Sequence, residues 1–243
     1  PAGLQTLIGV THYDPQEEEA LLRSYLAHRP AGLLVTGFDR TPAARQLIER
    51  SGVPCVHLME TSAVGDGYAV GLSQDAAGAA MTEHLVARGR RRVAFLGAQL
   101  DPRVMQRLAG YRRVLQAHGL HDARLEWLDP APSSIALGAQ MIERLLAAQP
   151  EVDAVFCCND DLAQGALLAL WRRGIAVPER LAVAGFNDLA GSDQWLPPLT
   201  TVRTPRAEIG ARAAQMLVAL LRGETVQARQ VDLGFELVVR QSS

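Results

Sequence analysis

Residues 152–188 read VDAVFCCNDDLAQGALLALWRRGIAVPERLAVAGFND, and this stretch decides the fold. Val152 to Cys158 is nearly all apolar, the pattern of a strand covered on both faces. Asn159, Asp160 and Asp161 stop it abruptly, and such side chains accept hydrogen bonds from the first free amides of a helix. Leu162 to Trp171 is apolar enough to pack on a sheet, with Trp171 expected in the core, and Gly174 stands where a helix would end. Leu181 to Phe186 is a second apolar run, closed by Asn187 and Asp188. Two parallel strands therefore carry amides and carboxylates to one carboxyl edge, where open α/β sheets bind ligands.

The same alternation extends in both directions. Upstream, strands are expected at Leu4–Val10, Gly32–Thr36, Cys55–Met59, Tyr68–Leu72, Arg92–Gly97 and Leu125–Leu128. Helices are expected at Pro15–Ala27, Pro42–Arg50, Ser73–Arg88, Arg103–His118 and Ile135–Ala148. Glu17, Glu18 and Glu19 form a solvated first turn that suits the positive end of the helix dipole. Downstream, Leu199–Arg203 lies among Pro197, Pro198 and Pro205 and reads as a connection between halves. Gly210–Arg222 reads as a last helix and Val231–Val239 as terminal strand material. Such alternation predicts parallel sheets with right-handed crossovers. The strands are too many for one sheet, so two similar halves fit better.

Composition narrows the function. The 243 residues are 48% hydrophobic and 21% charged, with a formal charge of -2, values of an ordinary soluble protein and not of a general nucleic-acid-binding surface. No run approaches the roughly 20 apolar residues of a membrane span. All 24 basic residues are Arg, which excludes mechanisms that require lysine, such as a Schiff base or a P-loop clamp. Cys55, Cys157 and Cys158 fall in expected strands and read as apolar fillers in a reducing, cytoplasmic setting, not as a disulfide or zinc framework.

The candidate site residues are polar groups at strand ends and helix starts. Asn159 and Asp160 serve equally well as a helix cap and as a cleft wall; Asn187 and Asp188 double as a turn pair. Arg103 and Arg107, four apart, share a helix face and suit an anion, because guanidinium grips carboxylate bidentately. A salt bridge from this pair to Asp101 or Asp129 is the plainer alternative, and Arg112 and Arg113 read as solvated. The six histidines are scattered, with no nucleophile elbow, dinucleotide fingerprint or metal spacing. No catalytic residue, metal site or cofactor is expected. An enzyme using Asp160 or Asp188 as general base lacks a partner group.

With these residues in place, the chain resembles the effector-binding core of the LacI/GalR family of bacterial transcription repressors. The resemblance rests on EHLVARGRRRVAFLG (Glu83–Gly97), RLAGYRRVLQAHGL (Arg107–Leu120), the opening segment and PPLTTVRTPRAEIGARAAQMLVALLRGE (Pro197–Glu224). LMET (Leu58–Thr61), TPR and DLGFELV (Asp232–Val238) are most similar to the gluconate-operon repressor branch. The resemblance implies a periplasmic-binding-protein-like core of two doubly wound subdomains joined by crossing strands. The subdomains would span residues 1–72 with 202–223, and 73–201 with 224–243. It implies a ligand held by Thr36 and Met59 or Glu60 on one side, and by Arg107, Ser133, Asn159 and Asn187 on the other. Thr204 and Arg206 would lie near the hinge, Arg103 or Arg206 would join Arg107 in holding a carboxylate, and Asp160 would belong to the same ligand site. The family commonly has Asp where this chain has Asn187, and loss of that charge suits an anionic ligand. A sugar acid such as gluconate is the expected effector, in a homodimer without membrane contact.

Operator DNA would be bound only through a helix-turn-helix that these residues do not contain. The chain resembles the family from its second strand, PAGLQTLIGVTHYD, onward; a strand and helix of roughly 30 residues have no counterpart, so Leu4–Val10 and Gly32–Thr36 would flank a gap with pairing-prone edges. A periplasmic sugar-binding protein of a transport system shares the architecture and is the alternative.

Overall fold

The computed structural model describes residues 3–61 and 67–243 and divides the chain into two compact units, Pro1–Leu72 with Pro205–Gly234 and Ser73–Thr204 with Phe235–Ser243. The chain opens the first unit with α1 (Pro15–Ala27), β1 (Leu33–Thr36), α2 (Pro42–Ser51), β2 (Cys55–Glu60) and β3 (Tyr68–Leu72). It then builds the second with α3 (Gln74–Ala87), β4 (Val93–Ala98), α4 (Pro102–Ala117) and β5 (Glu126–Asp129). That unit continues through α5 (Ile135–Ala148), β6 (Ala154–Cys157), α6 (Asp160–Arg172), β7 (Ala182–Asn187) and β8 (Thr200–Arg203). The chain returns to the first unit for α7 (Arg206–Leu221) and β9 (Gln230–Asp232) and finishes in the second with β10 (Glu236–Val238).

The second unit is a six-stranded sheet ordered β10-β8-β7-β6-β4-β5, parallel except for β10. Every residue of β4 and β6 is buried, which explains their unbroken apolar sequence: both faces carry helices. Two helix pairs cover them, and each crosses on reciprocal glycines. A side chain on Gly78 of α3 would run into the backbone of Arg107 on α4, and one on Gly110 would strike Asp75 and Ala79. Gly138 and Gly165 relate α5 and α6 in the same way, through Leu162, Ile135 and Ala139. Backbones this close fix the position of α4 and α6 to within a side-chain width.

The first unit is a four-stranded parallel sheet ordered β1-β2-β3-β9. Leu33, Val35, Leu22 and Ala44 form a small core, with Leu26, Leu47, Ile48, Val53 and Cys55 packed against it. β2 carries Met59 at φ 76°. The residue in register with it, Gly71 on β3, has no side chain because one would overlap the backbone of Glu60.

Several expectations are corrected. Leu4–Val10 is not a strand: it has an apolar sequence but no ladder partner, and Leu7 and Ile8 are 73% and 82% exposed. Its one described anchor is the Tyr25 hydroxyl, which donates to the Ile8 carbonyl at 3.2 Å. Leu199–Arg203 is more than a connection, since Thr200–Arg203 pairs with both β7 and β10; the flanking prolines lie outside the ladder, where no amide is needed. Trp171 is not core but 74% exposed, because the buried face of α6 is met by Leu162, Ala163, Ala166, Leu167 and Leu170.

Five helices end on glycine in the left-handed region, at Gly52, Gly89, Gly119, Gly174 and Gly223. The glutamates entering α1 are not simply solvated: Glu18 pairs with Arg40, and Glu19 with Arg23 and the Thr41 hydroxyl.

Candidate functional site

In the second unit the carboxyl ends of β4, β6, β7 and β8 bring most of the expected residues to one edge. α4, α5 and α6 all begin there, capped by Asp101, Ser134 and Asn159, whose side chains accept from Arg103, Leu137 and Leu162 amides. Asn159 is thus a helix cap, and its amide also exchanges hydrogen bonds with Ser133 Oγ at 2.7 and 3.0 Å. The cap expected from sequence is present, at the strand-end edge.

Arg107 is the centre of this edge. It is buried, its Nε donates to Gln74 Oε1 at 2.8 Å, and one Nη donates to the Cys158 carbonyl at 2.6 Å. The guanidinium lies 3.7 Å from the centroid of the Phe186 ring, a cation–π distance. A helix crossing, a buried amide, a strand-end carbonyl and an aromatic face therefore orient one cation beside Asn159 and Asn187. Arg103, on the same helix face, is also buried and pairs with Asp101 at 3.3 Å, the salt bridge weighed from sequence. Arg112 and Arg113 are paired too, with Glu126 and Asp75.

Asn187 sits at φ 117° and Asp188 at φ 53°. A non-glycine residue there is strained and persists only when its surroundings hold it. The Thr204 hydroxyl donates to Asn187 Oδ1 at 3.3 Å. Asp188 is held by Arg203 and Arg240, both at 2.8 Å; burial pushes its carboxyl up, but these hydrogen bonds outweigh it and leave it below the usual range. Asp160 lies behind them, fully buried. It accepts from the Leu189 amide at 2.7 Å and Thr201 Oγ1 at 2.6 Å. Burial raises its pKa despite those donors. Asp160 is thereby an anchor for the 187–189 turn more than a wall of the site.

In the first unit, Thr36 is exposed at the end of β1, and Glu60 is buried at the end of β2, where it accepts from the Phe38 amide at 3.0 Å. His57 Nδ1 lies 2.8 Å from the Gly37 carbonyl, and its ring stacks on Phe38 at 4.1 Å. Burial and the adjacent Arg40 hold this imidazole down to about 4. Arg206 opens α7, exposed, in this unit, two residues after Thr204 ends the 73–204 segment of the second unit.

Three contributors were not foreseen. Gln74 looked like the first turn of a helix, and Phe186 like core. Arg240 lay just past the expected terminal strand material. Each acts through contacts 33 to 79 positions away, or 52 for Arg240, as Gln74–Arg107, Arg107–Phe186 and Asp188–Arg240; such separations leave no local signal. Among the described residues no cluster of three metal-ligating side chains occurs. Burial raises the thiols of Cys55 and Cys158 to about 11, as befits inert fillers.

Comparison with known proteins places this edge in context. The model of a periplasmic binding protein-like domain matches residues 82–243. The HTH-type transcriptional regulator GntR of Pseudomonas aeruginosa is 56% identical over 243 residues, the whole of this chain and 71% of the relative. Its namesake in Escherichia coli strain K12 is 36% identical over 97% of this chain and 70% of its own. Among solved structures, the transcription regulator GntR from Chromobacterium violaceum superposes with a TM-score of 0.97 at 54% identity, covering 100% of this chain and 89% of the other. No helix among the described residues is long and apolar enough to cross a membrane.

Proposed function

The chain belongs to the LacI/GalR family of transcription regulators, and from that premise we propose that it is the effector-sensing core of a repressor whose ligand is a sugar acid of the gluconate type. The observation that carries this reading is Arg107: a buried guanidinium, oriented from four directions, at the strand ends where an α/β sheet meets its ligand. A buried guanidinium at such an edge offers a ligand carboxylate a charge-assisted hydrogen-bond partner. Asn159, Ser133, Asn187 and Thr204 then read hydroxyls, with Arg103 adding positive potential. Asp160 fixes the turn that carries Asn187.

An amide at position 187 favours this class of ligand further. A carboxylate there would repel the acid group, whereas Asn187 both donates and accepts without charge. The ligand acts through its differential affinity for two arrangements of the protein. We assign operator binding to a helix-turn-helix outside these 243 residues and homodimerisation to the regulator as a whole.

Calorimetric titration with gluconate and glucose tests the reading. Gluconate is expected to bind more tightly, and Arg107→Ala to weaken it at least tenfold while changing the glucose signal little. Tighter binding of glucose, or full gluconate affinity in Arg107→Ala, sinks the proposal.

A further inference from the structure

Where five helices end on a left-handed glycine, α1 ends on Arg29, at φ 50°. A glycine would take that conformation without strain, so Arg29 carries a side chain where glycine is the easier residue. Arg29 lines a cavity of about 650 Å³ within the first unit, at the ends of α1 and α2. That size is typical of small-molecule sites. Its floor is apolar, from Leu26, Leu47 and Val53, and Arg23, Arg29 and Arg50 stand around it. No carboxylate is among the lining residues.

The three guanidinium groups differ. Arg23 is paired with Glu19 at 2.7 Å. The side chains of Arg29 and Arg50 are exposed and make no hydrogen bond or ion pair among the described residues. A cation near a helix C-terminus offsets the dipole there, which accounts for Arg50. Arg29 stands at the end of α1 in the same way. Two unengaged guanidinium groups above an apolar floor match an anion with several oxygens and an apolar body. A carboxylate is satisfied by one guanidinium, whereas a phosphate monoester offers enough oxygens for two.

We propose that this cavity binds an organic phosphate monoester, gripped by Arg29 and Arg50 and seated on Leu26, Leu47 and Val53. The site lies wholly in the first unit and is separate from the Arg107 edge of the second.

Calorimetry on the 243-residue chain tests it with phenyl phosphate, inorganic phosphate and benzoate as probes. Phenyl phosphate is expected to bind most tightly of the three. Arg29→Gly should weaken it at least tenfold while the melting temperature stays level or rises, since glycine relieves the φ 50° strain. Arg50→Gln should weaken it likewise, and gluconate affinity should be unchanged in both variants. Three results overturn the proposal: no saturable binding of phenyl phosphate at millimolar concentration, unchanged affinity in Arg29→Gly, or competition between phenyl phosphate and gluconate for one site.

Discussion

At the amino edge of the second unit's sheet, arginines close turns onto backbone carbonyls; at the carboxyl edge, arginines and amides bind side chains and helix starts as well. Arg90 donates to the carbonyls of Asp153 and Pro178, and Arg180 to those of Val152 and Pro150. The Asp153 carboxylate accepts the Arg91 and Arg92 amides at 2.8 and 3.0 Å. The helices arriving there end on glycines such as Gly89 and Gly174, so their turns are unstrained. The carboxyl edge is the reverse. Of the eight non-glycine residues at positive φ among those described, Met59, Gln99, Leu100, Asn187 and Asp188 lie at the carboxyl ends of strands. One end is built for stability; the other keeps side chains in costly conformations, as ligand edges do.

The largest effect that would sharpen this contrast is at Asp153. Asp153→Ala removes the acceptor of two turn amides and is expected to cost about 2–3 kcal/mol of stability, read by urea unfolding, with gluconate affinity intact. A changed affinity would break the division between the edges.

Next comes the pH dependence set by His57, within β2 of the first unit's sheet. Its folded pKa, about 4, is below the ordinary 6.5, so between those values the unfolded chain binds a proton that the folded chain does not. Stability is therefore full above pH 6.5 and is lost as pH falls towards 4, by on the order of 1–3 kcal/mol. His57→Gln should flatten that part of the stability profile; an unchanged slope would assign the loss to other groups.

Gln74→Glu keeps the shape beside Arg107 and supplies it with an internal counter-charge. Gluconate affinity should fall about tenfold, roughly 1.4 kcal/mol, while glucose binding and the melting temperature move little. A purely structural Gln74 would instead lower stability and affect both ligands equally. The smallest effect is Asn187→Gly, which releases strain and is expected to add up to about 1 kcal/mol of stability while weakening ligand binding.

Much of this was legible in local sequence. α1 and α5 have the expected bounds because acids, caps and apolar spacing coincide there, and β6 and β7 declared themselves as buried parallel strands by unbroken apolar runs. Asn159, Asn187 and Arg107 were visible as polar groups at strand ends or on a helix face. What failed were properties set by partners. Leu4–Val10 has strand composition but no neighbour to pair with, and Trp171 keeps helical spacing while pointing outward. Gln74 and Phe186 became site residues only once the glycine crossings had brought α4 against α3.

We propose that the carboxyl edge recognises an acid, with Arg107 supplying attraction and Asn187 withholding repulsion. The most direct test is the ratio of gluconate to glucose affinity, measured by calorimetry in the unaltered chain and in Asn187→Asp. The account predicts a ratio well above one that drops at least tenfold in the variant, as a carboxylate enters beside the ligand's own. A ratio that stays constant or rises would contradict it.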